Sequence, residues 1–152
     1  MKAMILAARY GTRLNPITFD KPKALVKIQN KTLLEILIAK FLKFKINEII
    51  LNVHHFSQQI IDYIIINNEL GVNIKISNEE NELLDTGGGL KKAKSFFKDG
   101  IPFLLHNVDV LNDIDLEHLY NTNFINQSIA TLVVQKRKSS RYFLFDENNN
   151  LC

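Results

Sequence analysis

The residues that could do chemistry stand in three short runs. The first is Lys2-Ala3-Met4-Ile5-Leu6-Ala7-Ala8-Arg9-Tyr10-Gly11-Thr12-Arg13-Leu14, apolar at its start and small, flexible and basic at its end, with Lys21-Pro22-Lys23-Ala24-Leu25 following shortly after. A buried strand that empties into such a loop is the usual way an α/β sheet builds a phosphate site, since backbone N–H groups and positive charge then face one anion. The second run is Asp85-Thr86-Gly87-Gly88-Gly89, and the third is Asn107-Val108-Asp109, with a carboxylate just past an apolar stretch. Taken singly, each has an ordinary alternative. Arg13 and Lys23 could be solvated surface charges on a turn, the triple glycine a flexible hinge, and Asp109 a turn or helix cap. The first loop matches neither the dinucleotide fingerprint nor the P-loop lysine motif.

The elements that must position these runs can be read from the pattern. Met1 to Ala8 predicts a first, central parallel strand, because its near-continuous apolar character suits a strand covered on both faces. Arg9 to Lys31 is a long loop kept out of regular structure by Pro16 and Pro22, and loops of that length usually have a task. Thr32-Leu33-Leu34-Glu35 is a capping box opening a helix, on which Leu34, Leu37, Ile38, Phe41 and Leu42 recur at helical spacing. Glu48 to Val53 predicts the second strand. Ser57 is expected to cap a helix to about Asn67 that carries Ile60, Ile61, Ile64 and Ile65. Val72 to Ser77 predicts a third strand, and the glycine run then leads into a helix from about Leu90 to Phe97. Ile101 to His106 is the fourth strand, with Asp109 beyond its end. Asp115 to Tyr120 suggests a short helix, with Asp115 as its cap. Ser128 to Gln135 and Tyr142 to Phe145 read as strands, Asp146 to Asn150 as a turn, and Leu151 and Cys152 as the start of a returning strand. The alternation predicts an α/β fold, a Rossmann-like, mostly parallel sheet with helices on both faces. Ligands on such sheets sit beyond the carboxyl ends of the strands, where Arg13, Lys23, Gly88 and Asp109 could converge.

Composition narrows the function classes. With 152 residues, 46% apolar and 23% charged, the chain suits one domain with a sizeable core. A net charge of +3, with scattered lysines, suits a local anionic ligand and argues against nucleic acid. Cys152 is the only cysteine, so no disulfide framework or zinc cluster forms within one chain. No stretch approaches the about 18 uninterrupted apolar residues of a membrane span, and the start carries no secretory pattern, so a cytoplasmic protein without membrane partners is expected. Self-association stays open. His54 and His55 read as loop or helix-start residues rather than metal ligands, His106 as a satisfied polar residue at a strand end, and Lys136-Arg137-Lys138 as a solvated charge run. Tyr10 could lie against a ligand or simply on the surface.

Together the three runs resemble the sugar-nucleotide pyrophosphorylases, nucleotidyltransferases that carry LAAG-x-GTRL, then x-PLT, then x-x-x-PKP. Leu6-Ala7-Ala8, Gly11-Thr12-Arg13-Leu14, Pro16, Thr18 and Pro22-Lys23 match in register. The resemblance implies that a sugar 1-phosphate and a nucleoside triphosphate are joined into a nucleotide-sugar with release of pyrophosphate. It implies that Ala7, Ala8, Gly11, Thr12, Asp85, Thr86, Gly87 and Gly88 line the nucleotide, with the glycine run opening a helix over base and ribose. Backbone N–H groups around Gly11 and Thr12 would cradle the β- and γ-phosphates, Arg13 would clamp them, and Lys23 would place charge at the α-phosphate. Asp109 matches the aspartate that holds Mg²⁺, a hard ion suited to carboxylate oxygen. The run from Glu82 to Gly89 is most similar to the N-acetylmuramate 1-phosphate uridylyltransferases. Four positions depart from the pattern: Ile17 for leucine and Ala24 for proline are mild, and two others matter more. Arg9 replaces glycine, and it either swings outward and adds charge or fills space meant for base or triphosphate. Val108 replaces glycine and would hold the backbone away from the nucleotide. Because the family takes a second metal-binding aspartate from a C-terminal part, residues 1–152 are expected to be the N-terminal part of a nucleotidyltransferase domain, truncated at its C-terminus and inactive alone. The alternative is a non-catalytic nucleotide-binding remnant or regulatory module.

Overall fold

The computed structural model describes residues 1–80, 82–98, 100–136, 138, 142–148, 150 and 151. Its centre is a four-stranded sheet of β1 (Lys2–Leu6), β4 (Glu48–Val53), β5 (Asn73–Asn78) and β6 (Phe103–Asn107) in the order β5-β4-β1-β6. All of its pairings are parallel. In register, Lys2 faces Glu48 and Phe103, and Leu6 faces Asn52 and Asn107. β1 is therefore an interior strand, as its apolar run predicts, and Ala3, Met4 and Ile5 are fully buried.

Successive side chains of a strand point to opposite faces, and each face here carries helices. Ala3, Ile5, Ile49, Leu51 and Val53 pack with α1 (Leu33–Lys43), α2 (Ser57–Ile66) and Leu116 of α4 (Leu116–Asn126). Met4, Ile50 and Leu6 pack on the other face with Leu90, Ala93, Phe96 and Phe97, which belong to α3 (Asp85–Lys92) and the 3-10 turn after it. The sheet thus has the Rossmann-like arrangement expected.

The capping box forms. The Thr32 hydroxyl accepts the Glu35 N–H at 3.1 Å, and the Glu35 carboxylate accepts the Thr32 N–H at 2.6 Å. Leu34, Leu37, Ile38 and Phe41 are buried, whereas Leu42 faces outward. Burial alone would raise the Glu35 pKa. Hydrogen bonds from the Thr32 backbone, the Tyr63 hydroxyl and the Thr32 hydroxyl, with the Lys27 charge, outweigh it and hold the group below the usual carboxylate value. Tyr63 lies on α2, so this carboxylate ties α2 to the start of α1.

Several expectations are corrected. Ser57 is the first residue of α2 rather than its cap; Phe56 holds the cap position at φ 54° without a side-chain bond. Ile60 and Ile64 are buried, but Ile65 is exposed. The long loop is partly ordered, by 3-10 turns at Thr12–Leu14 and Lys23–Leu25 and by a small hairpin of β2 (Lys27–Ile28) and β3 (Lys31–Thr32). α3 begins at Asp85, so the glycines lie inside the helix rather than in a loop before it. α4 extends to Asn126, and its Asp115 cap accepts the N–H groups of Glu117 and His118 at 3.0 Å. Residues 128–136 form no strand: Leu132, Val133 and Val134 have strand-forming side chains but are exposed. A strand needs a neighbour to take its backbone hydrogen bonds, and no described segment pairs with this one. Tyr142 to Phe145 gives only an isolated antiparallel bridge between Phe145 and Leu151, closing a turn in which Asp146 accepts the N–H groups of Asn148 and Asn150. Arg137 and Cys152 lie outside the described residues. Among the described residues, no helix is long and apolar enough to cross a membrane.

Candidate functional site

From β1 the chain builds outward through β4 to β5, then crosses back to lay β6 on the other side of β1. The carboxyl ends of β1 and β6 are therefore the point where strand order reverses, the usual place for a ligand crevice. Their ends are held level by the pairing of Leu6 with Asn107 and by the Val108 N–H bonding the Leu6 carbonyl at 3.1 Å. Ala7 and Ala8 are buried where β1 leaves the sheet.

The first loop then turns at Gly11, whose φ is 71°. A Cβ there would lie 3.3 Å from both the Lys23 Cβ and the Thr18 Cγ2, so the position suits glycine on conformation and on space. The Thr18 hydroxyl donates to the Gly11 carbonyl at 3.0 Å, and the Leu14 N–H to the same carbonyl at 2.9 Å. Pro22 caps the second 3-10 turn, and Lys23 is the first residue of that turn. Lys23 Nζ forms an ion pair with Asp109, and both side chains are largely covered. Sequence reading assigned these two residues to the same site, and the structure brings them together. Thr12 and Arg13 are exposed, and Arg13 has no ion pair among the described residues.

A second wall comes from β4, β5 and α3. Asn52 and Glu79 are 2% and 1% exposed. Asn52 Oδ1 accepts the Ala7 N–H at 2.7 Å, and its Nδ2 donates to Glu79 Oε1 at 2.8 Å. Glu79 Oε2 accepts the Leu84 N–H at 3.1 Å, one residue before α3. Gly89 lies over this pair, where a Cβ would stand 2.6 Å from Glu79 Oε1 and 2.9 Å from Asn52 Nδ2. That close approach places a glycine-rich segment in a helix despite its poor propensity. Asp85, Thr86 and Gly87 are exposed and Gly88 is half-buried at the mouth. Asp85 holds φ 56° and pairs with Arg9 at 3.3 Å, so Arg9 reaches along the rim from the end of β1 to the start of α3. Sequence reading missed Asn52 and Glu79. Their one visible signal was a polar residue inside the apolar run of β4.

The remaining polar residues have local partners. His54 Nδ1 lies 2.7 Å from the Glu79 carbonyl, which can only accept, so Nδ1 carries the proton and Nε2 faces the Tyr10 hydroxyl at 3.3 Å. Tyr10 also rests against the His55 ring and is about half exposed. Lys40 Nζ donates to Asn112 Oδ1, which turns the Asn112 amide nitrogen toward His106 Nε2 at 2.9 Å. His106 Nδ1 then donates to the Asn107 carbonyl at 2.7 Å. Burial lowers the His106 pKa, assisted by the Lys40 charge, while the Asn107 bond and Asp109 oppose it. Val108 is 2% exposed and packs its side chain in the core. Among the described residues no group of three His, Cys, Asp or Glu gathers at one point.

The order β5-β4-β1-β6, with a glycine turn, a lysine and an aspartate meeting at its reversal point, defines a Rossmann-like α/β domain. The chain belongs to the nucleotidyl transferase family, which it matches over residues 2–147. It is 33% identical over 144 residues to the mannose-1-phosphate guanylyltransferase catalytic subunit beta of Dictyostelium discoideum, covering 93% of this chain and 40% of that protein. It is 35% identical over 118 residues to the N-acetylmuramate alpha-1-phosphate uridylyltransferase of Caulobacter vibrioides, covering 76% of this chain and 47% of that protein. The crystal structure of HddC from Yersinia pseudotuberculosis complexed with GMP-PN superposes with a TM-score of 0.72 at 30% identity, over 80% of this chain and 53% of the other. The chain thus spans about half the length of these relatives or less.

Proposed function

We propose that this chain binds a nucleoside triphosphate at the carboxyl ends of β1 and β6 and serves transfer of its nucleotidyl group to a sugar 1-phosphate. The observation that carries the reading is the meeting of Lys23 with Asp109 beside the Gly11 turn, at the reversal point of the sheet. The Gly11–Thr12 backbone would cradle the β- and γ-phosphates, and the exposed Arg13 would close on them with its planar fork. Lys23 would set a positive charge beside the α-phosphate. An oxygen of the sugar phosphate forms a new bond to the α-phosphorus, the bond from that phosphorus to the bridging oxygen breaks, and the electron pair leaves on pyrophosphate. Holding both reactants in line and stabilising charge is the protein's whole share of this chemistry.

Mg²⁺ fits the donor type, since Asp109 offers a partly exposed hard carboxylate and this ion commonly takes one or two carboxylates with phosphate oxygens and water. When bound, the ion would neutralise phosphate charge; Asp109 would hold it, exchanging its bond to Lys23. For the acceptor we favour N-acetylmuramate 1-phosphate with UTP, on the acidic-Thr-Gly-Gly-Gly run of Asp85 to Gly89, with GTP and mannose 1-phosphate as the competing pair.

The presence of one suitable carboxylate, rather than a cluster, among the described residues favours a second reading: a nucleotide-binding module without turnover. Two measurements separate these. Calorimetry with UTP and GTP is expected to detect binding that Lys23→Ala weakens by about 1–3 kcal/mol, the scale of a lost charged hydrogen bond; equal affinity would remove Lys23 from the site. Pyrophosphate release from a panel of triphosphates and sugar 1-phosphates is expected to be absent for residues 1–152 alone. Release that disappears in Asp109→Ala would establish that a single carboxylate suffices.

A further inference from the structure

Glu79 is a carboxylate with 1% exposure, and among the described residues no cation pairs with it. Such burial is costly unless both oxygens are hydrogen-bonded, and here both are, to the Asn52 amide and the Leu84 N–H. The bonds form one chain that runs from the Ala7 N–H through Asn52 and Glu79 to the Leu84 N–H. Its polarity is forced. The backbone N–H groups at the two ends can only donate, so Asn52 must present its oxygen to Ala7 and its nitrogen to Glu79, and Glu79 must accept twice. The chain spans the ends of β1, β4 and β5 and stops at the start of α3, so it joins the two walls of the crevice from behind. Neither residue reaches the surface to touch a ligand.

We propose that Asn52 and Glu79 are positioning residues that fix the glycine-rich segment Asp85–Gly88 relative to the Ala7–Arg13 loop, and so favour a ligand that bridges both walls, a nucleoside triphosphate, over bare polyphosphate. The inference rests on the nucleotide reading above. Its physical basis is ordering. Gly87 and Gly88 carry more backbone freedom than other residues, and a segment not held by Leu84 would have to be ordered at the moment of binding. A ligand that meets only the first wall escapes that cost.

Glu79→Gln leaves shape intact but replaces one acceptor by a donor, so a donor meets a donor somewhere along the chain. Adding Asn52→Asp repairs this: the new carboxylate accepts from Ala7 and from the glutamine amide, whose oxygen accepts from Leu84. Leu84→Pro deletes the terminal donor without touching the buried pair, at a φ of −82° close to that of a proline ring. Parent, Glu79→Gln, Leu84→Pro and the double variant N52D/E79Q are titrated with UTP, GTP and inorganic tripolyphosphate, and exchange of the Leu84 amide is followed by NMR in the chains that keep it. The expected result is about a tenfold loss of nucleoside triphosphate affinity in Glu79→Gln and Leu84→Pro, unchanged tripolyphosphate affinity in every chain, faster Leu84 exchange in Glu79→Gln, and recovery of nucleotide affinity and of Leu84 protection in the double variant. Equal losses for nucleotide and tripolyphosphate, no loss for either, or no recovery in the double variant would overturn the proposal. If Glu79→Gln does not fold, Leu84→Pro and the double variant decide the matter by the same criteria. A parent that binds nucleotide no better than tripolyphosphate overturns this inference alone; a parent that binds neither overturns the nucleotide reading, and this inference with it.

Discussion

Replacing Gly89 by alanine, with Gly87→Ala as its partner experiment, tests whether the glycine helix is held by what lies beneath it. Both residues are in α3, where alanine is preferred over glycine by about 1 kcal/mol in a helix interior. Gly87 is exposed and a Cβ there meets nothing within 4 Å, so Gly87→Ala is expected to be neutral or to stabilise by up to about 1 kcal/mol. At Gly89 the same Cβ would stand 2.6 Å from Glu79 Oε1 and 2.9 Å from Asn52 Nδ2. Those atoms cannot swing aside, because both side chains are buried and bonded at each end. Overpacking typically costs about 1–3 kcal/mol. Breaking the Asn52–Glu79 bond to make room leaves a buried polar group unpaired, at about 1–3 kcal/mol more. Less the propensity gain, the net loss should be roughly 1–5 kcal/mol, centred on about 3 kcal/mol. For chains of about 150–250 residues each kcal/mol moves the melting temperature by about 2–4 °C, so a fall on the order of 10 °C is expected. Urea denaturation and thermal melts followed by circular dichroism measure both variants. If Gly89→Ala is as stable as Gly87→Ala, α3 does not sit on the Asn52–Glu79 pair as described, and the account of why a glycine run becomes helical fails.

Arg9→Gly probes the rim. The Arg9–Asp85 pair is about 70% exposed on each side, so its contribution to stability should not exceed about 1 kcal/mol. Nucleotide affinity is expected to rise once the side chain no longer spans the crevice mouth; calorimetry that finds weaker binding would mean that the arginine contributes charge instead. Thr32→Ala probes the capping box and its pH dependence. Glu35 has a lowered folded-state pKa, so the unfolded chain takes up protons first as pH falls; the group's stabilisation is full above the ordinary carboxylate range and lost as pH drops through its folded value. Removing the Thr32 hydroxyl should cost about 1 kcal/mol at neutral pH and flatten the acid limb of stability against pH. Urea midpoints from neutral to acid pH that run parallel for the two chains would remove the Thr32 hydroxyl from that limb.

How much of this was legible follows from what each element needs. β1 and β4 could be read because a parallel strand covered on both faces must be apolar almost throughout, and β6 because its short apolar run has no helical alternative of adequate length, although as an edge strand it is only partly covered. α1 could be read because its cap and its stripe are both local. The meeting of Lys23 with Asp109 was legible only through the resemblance of the motifs, since spacing alone says that both follow strands and not that the strands are neighbours. α3 was misread because propensity argues against three glycines in a helix, and what overrides propensity is contact with residues far away in sequence. The stretch 128–135 was misread for the opposite reason: side chains of strand type are not a strand without a partner. Asn52 and Glu79 join these two failures. Asn52 lies 45 residues from Ala7 and 27 from Glu79, and each bond exists only because β4 lies between β1 and β5. A polar residue inside an apolar strand looks like an interruption until strand order is known. Once it is known, the same residue is the one place where a side chain can reach the ends of both neighbouring strands. The ends of β1 and β4 and the start of α3 are thus joined by Asn52 and Glu79, whose single local signal is a polar residue inside an apolar strand.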